Sequence, residues 1–250
     1  MSSTENKRGI FALMVAHCAG MLDLVALPVW VGTLIVQFRF DPQQAGGLAT
    51  LFLIGASLAS LVFAPRFTRH DPKRLAVGGF TMAALAFVLA SQNASFSVLA
   101  VLHGVGGLAA GAALSFTHGT IGHARNPHRL FALVGMAIGV FGIVFLGGTP
   151  VIVAKFGGAA LFLVFAGVMA CAALVGVFFF PRTQRHIASD DPEHPGLHLP
   201  RLPRAVWYSV VAVALLAMTQ AMTLSFFESI GLARGFGREN VTLALVIYGV

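Results

Sequence analysis

Seven apolar stretches dominate the chain, at residues 10–37, 45–64, 75–91, 97–121, 130–154, 159–181 and 206–227, separated by short polar segments. About 20 apolar residues are needed to cross the hydrocarbon of a bilayer, so each stretch predicts a membrane-spanning helix. An eighth begins near Val241 and stops at Val250, about half a span, so more of the second set of helices is expected beyond residue 250. The pattern predicts an all-α polytopic protein in three parts: a six-helix bundle over 1–181, a polar linker over 182–205 and the start of a second bundle over 206–250.

Composition agrees. Of the 250 residues, 57% are hydrophobic and 10% charged, against about 25% charged in soluble domains. Lipid is therefore the expected solvent and first partner. The net charge of +7 does not point to nucleic acid, because the basic residues sit in short loops between spans, where they encode topology. The amino terminus and the loops 65–74, 122–129 and 182–205 hold twelve of the 16 Lys and Arg residues, and the opposite loops hold Arg39, Lys155, Arg234 and Arg238. That bias predicts a cytoplasmic amino terminus and a plasma-membrane location, the inner membrane in a bacterium. The first apolar run is too long for the core of a cleavable signal peptide. Cys18 and Cys171 fall inside apolar runs and offer no disulfide or metal spacing, and His186, His194 and His198 in the linker match no ligand pattern. No metal and no cofactor is expected.

Within the spans one residue stands out. Asp23 is the only charge between Ile10 and Val36, and an Asp at the centre of a membrane helix costs about 2.5–3.5 kcal/mol on insertion scales. On a helix turning 100° per residue, Trp30 and Gln37 fall about 20° and 40° from it and Thr33 about 80° to one side, which predicts a polar stripe. His17 lies about 120° off the stripe and is expected against a neighbouring helix. Pro28 deprives the Leu24 carbonyl of its helical donor and predicts a bend beside Asp23. The fourth span carries His103 and His118, and the seventh carries Gln220 and Thr223 on a shared face. His103 is placed roughly 9 Å from the outer end of its span, too far from mid-membrane Asp23 for direct contact.

Three stretches carry a family resemblance. "DPQQAGGLATLFLIGASLASLVFAPRFTRHDPKRLAVGG" resembles the second span and basic loop of the major facilitator superfamily, usually G-x-L-a-D-r-x-G-r-R-r. Arg69, Lys73 and Arg74 keep the basic positions, Thr68 replaces the family's Asp and Asp71 its second Gly. "HGVGGLAAG" resembles R-x-x-x-G-x-G-x-G in the fourth span, with His103 at the Arg, Gly107 and Gly111 matching, and Ala109 at the middle Gly. Glycines at such spacing also let helices approach closely, a role open to Gly135 and Gly139 in the fifth span. The fifth span lacks the G-P-x-x-G-G order of many antiporters, with Pro150 displaced downstream.

The resemblance implies two bundles rocking about a mid-membrane site, with spans one, four and seven lining it. The chemistry of a lone mid-membrane carboxylate points to Asp23 for proton coupling. The polar residues of these spans, Trp30, Thr33, Gln37, His103, Gln220 and Thr223, are expected at the substrate cavity, and the resemblance implies a gating loop with Arg69, Asp71, Lys73 and Arg74. The expected function is secondary transport of a small organic solute with protons as the coupling partner, with symport and antiport both open. Two other classes stand beside it: a non-transporting receptor or assembly subunit, and an integral-membrane enzyme. Asp23 is the one acid inside these runs, so the paired carboxylates an enzyme would need are missing, as are His residues four apart.

Overall fold

A computed structural model of the chain describes residues 6–181 and 203–248. Its elements, in order, are α1 (Lys7–Gly20), α2 (Leu22–Val36), α3 (Pro42–Phe63), a short 3-10 turn (Ala64–Arg69), α4 (Pro72–Ser91), α5 (Phe96–Gly122), α6 (Pro127–Phe156), α7 (Ala159–Phe179), α8 (Arg204–Ser225), α9 (Phe227–Ala233) and α10 (Arg238–Tyr248). Seven helical segments are long and apolar enough to cross a membrane, α1 and α2 together forming the first. The fold is all-α and polytopic. The expected linker, 182–205, lies outside the described residues except for its last three, of which Arg204 already opens α8. The eighth apolar run is helical from Arg238, slightly earlier than its apolar residues begin.

The helix starts follow from local chemistry. Asp41 Oδ1 accepts from the Gln44 backbone N–H at 2.7 Å, and Gln44 Oε1 accepts from the Asp41 N–H at 3.3 Å, a reciprocal capping box with Pro42 in the first turn. Asp71 does the same work for α4, accepting from the Lys73 and Arg74 N–H groups at 3.0 and 3.3 Å ahead of Pro72. Gly157, at φ +83°, ends α6 in the left-handed conformation that glycine adopts without strain.

Close approach of backbones joins α3 and α4 to α5. A Cβ on Gly107 of α5 would run into the backbone of Phe52 on α3, and one on Gly111 into the backbone of Ala56. Gly55 of α3 answers them, since its Cβ would stand 2.7 Å from the Gly104 carbonyl oxygen, and a Cβ on Gly79 of α4 would stand 2.5 Å from that of Ala109. In lipid there is little hydrophobic gain from joining two apolar helices, so tight contact through small residues supplies the attraction. Gly135 departs from this role: a Cβ there would meet nothing within 4 Å.

The first span is broken. Met21, at φ −102° and ψ 19°, separates α1 from α2, while Pro28 remains inside α2. The interruption thus falls about two turns before the proline and places Asp23 in the first turn of a half-helix.

Candidate functional site

α8 and α9 pack against α2, and α10 packs against α6. Between them runs a seam with two hollows. A cavity of about 180 Å³ is lined by Leu24, Val25 and Pro28 of α2, by Gly135, Gly139, Gly142 and Leu146 of α6, and by Gln220, Leu224 and Leu245 from the other side. Further along, a small hollow of about 20 Å³ is lined by Val29, Gly32, Thr33, Val36, Gln37, Pro150, Val153 and Glu228. Of the residues expected at a cavity, Thr33, Gln37 and Gln220 therefore reach the seam. Gly135 and Gly139 do too, and at Gly135 the space a Cβ would take is open.

Trp30 and His103 do not. Trp30 is 1% exposed and His103 fully buried, facing each other inside the first six spans. The indole Nε1–H donates to His103 Nε2 at 3.3 Å, and His103 Nδ1 lies 2.6 Å from the Leu99 carbonyl oxygen. A carbonyl only accepts, so the imidazole hydrogen sits on Nδ1 and both ring nitrogens are used. Phe52, Phe87 and Phe165 meet the indole edge to face, with centroids 4.9–6.3 Å apart. Neither lines either hollow here: the two polar side chains satisfy one another in the interior, as buried polar groups must. Thr223 also departs from the seam. It is exposed, and its hydroxyl donates to the Thr219 carbonyl of its own helix at 2.9 Å.

Asp23 is half-buried and lies on Trp30's side of the helix, lining neither hollow. Among the described residues it has no ion pair within 4 Å. The start of a half-helix is the end at which the aligned peptide dipoles are positive. The break at Met21 thus gives the carboxylate a local electrostatic environment that an unbroken span would lack. Nearby, His17 Nδ1 faces His118 Nε2 of α5 at 3.0 Å, the neighbour-helix contact its position predicts.

In the loop, Asp71 is engaged locally, capping α4 and pairing with Arg74 Nε at 3.3 Å, while Lys73 and Arg74 border an open hollow with Val77 and Val177. Arg69 ends the 3-10 turn.

Glu228 escapes a reading of the sequence because it follows the seventh apolar run and passes for the start of a loop. The signal that finds it is spacing: Gln220, Leu224 and Glu228 stand at i, i+4 and i+8, one row of a helix. In space the row is carried past the interruption at Phe226, and Glu228 Oε2 would be 2.5 Å from a Cβ placed on Gly32. No group of three or more His, Cys, Asp or Glu suited to a metal occurs among the described residues.

Residues 12–250 match the family model described as Major Facilitator Superfamily. No curated protein matches the chain.

Proposed function

Because the chain belongs to the major facilitator superfamily, and so to a family of integral-membrane transporters, we propose that it moves a small organic solute by alternating access, coupled to protons, with the seam between α2, α6 and α8–α10 as part of the path. The observation that carries this reading is the convergence of helices from both sides of residues 182–202 on one cavity whose walls are mainly apolar with a single amide, Gln220. Such a lining suits a small, largely apolar solute oriented by one or two hydrogen bonds. Its 180 Å³ lies below the roughly 300 Å³ at which pockets for drug-sized ligands begin, so solute entry requires the walls on the two sides to part.

Asp23 is the proposed proton carrier. A carboxylate favours its neutral form when dry and its ionised form when wet or beside a cation, so alternate wetting loads and releases a proton. Two features support it: the absence of an ion-pair partner among the described residues, and its place at a helix break, a device transporters use to hold charge at membrane depth. A second candidate is Glu228, favoured by its position in the seam itself.

The test is a solute screen in proteoliposomes with and without an imposed pH gradient, run on the wild type, Asp23→Asn and Glu228→Gln. Asp23→Asn should lose gradient-driven accumulation and retain exchange of labelled for unlabelled solute, since exchange need not release the proton. Loss confined to Glu228→Gln would move the coupling group to the seam. Solute binding without flux in the wild type would favour a receptor instead.

A further inference from the structure

A larger apolar hollow lies outside the seam. A groove of about 670 Å³ runs between α1, α6 and α7, walled by residues that include Phe11, Cys18, Met136, Val140, Val168 and Cys171. We infer that this groove holds one acyl chain of an anionic phospholipid whose headgroup is bound by Lys7 and Arg8 in the leaflet on the amino-terminal side.

Three observations carry the assignment. The first is direction. Met136 and Val140 are 68% and 64% exposed, and the α6 wall they form with Ala137 and Phe141 centres on roughly the opposite side of α6 from Gly135, Gly139 and Gly142, which face the seam. The groove therefore opens away from the second set of helices, toward lipid. The second is size and lining. At 670 Å³ it falls within the roughly 300–1,000 Å³ of ligand pockets, and its walls are almost wholly apolar, which fits a hydrocarbon chain and no polar solute.

The third is charge. Lys7 stands one turn before Phe11 on the same face of α1. Arg8 is beside it, its guanidinium 5.9 Å from the centre of the Phe179 ring at the matching end of α7. Arg129, seven residues before Met136, extends the same face of α6 to that end. All three cations are exposed, and among the described residues none has a carboxylate within 4 Å. An apolar groove that ends under three basic side chains is complementary to a molecule with a long tail and a negative head. Each Lys or Arg near an anionic surface is worth about 1 kcal/mol of attraction.

Native mass spectrometry of the detergent-solubilised protein, incubated with equal amounts of phosphatidylglycerol and phosphatidylcholine, tests this. One phosphatidylglycerol per chain should persist under activation that strips phosphatidylcholine. The double variant Lys7→Gln/Arg8→Gln, altered only at an exposed helix end, should lower that preference roughly tenfold or more. Gly167→Leu should lower retention of both lipids. It projects into the groove from α7, and a Cβ at that position meets nothing within 4 Å, so the helix accommodates it. Equal retention of the two lipids by the wild type would overturn the inference. So would retention untouched by both variants, or a lipid-free dimer showing that a second copy covers the groove.

Discussion

Side chains divide sharply between those that complete the interior and those that can act. Trp30 and His103 belong to the first group. Replacing Trp30 by Phe keeps most of the aromatic contact and removes one N–H, stranding His103 Nε2 in a dry site. An unmet buried acceptor costs about 1–3 kcal/mol. Trp30→Phe should therefore lower the thermal unfolding midpoint in detergent, while solute affinity stays near that of the wild type. A fall in affinity without loss of stability would return Trp30 to the path. The sequence reveals that both residues are polar but not where their polarity is spent. Trp30 and Asp23 share a direction on the helix, yet the indole is satisfied by another residue of the same interior, a pairing 73 positions apart that no local spacing reports.

At the scale of elements, the spans are legible to within about three residues at each end, apart from the break at Met21. Lipid demands about 20 apolar residues per crossing, whereas the caps that set the exact ends, Asp41 and Asp71 among them, emerge only in space. The α3–α5 contact can be tested directly. Gly111→Leu places a side chain where the Ala56 backbone already lies and must push the helices apart, a cost of about 1–3 kcal/mol or more. Gly135→Ala, in open space, should be near neutral. Comparing the two by thermal unfolding separates packing glycines from lining ones, a distinction their identical spacing hides. In the basic loop, neutralising Lys73 and Arg74 together should slow transport and leave solute affinity nearly unchanged, because both lie outside the seam. A large loss of affinity with normal turnover would contradict a gating role. Glu228 was hidden at this scale: α8 ends and α9 begins within the seventh apolar run, and a carboxylate just past that run's end reads as loop.

For the whole molecule, charge alone predicts the orientation in the membrane. With twelve of 16 basic residues on one side, the amino terminus should face the cytoplasm. A cysteine at Asn93, between α4 and α5, should react with an impermeant thiol reagent in intact cells carrying a variant free of Cys18 and Cys171. One at Ser189, outside the described residues, should be protected until the membrane is opened. The reverse pattern would invert the protein and, with it, the leaflet from which the groove beside α1 is filled.

The break at Met21 also bears on how the protein is made. Asp23 sits in a span that leaves the ribosome before the helices that come to surround it. Thirteen Leu, Ile, Val and Phe residues lie between Ile10 and Val36. At about 0.3–0.6 kcal/mol each near the helix centre, they favour insertion by roughly 4–8 kcal/mol, against about 3 for the acid. The nascent span can therefore enter the bilayer alone. The order of synthesis and the order of assembly are thereby uncoupled: the charge is carried into the membrane ahead of the surroundings that are later built around it.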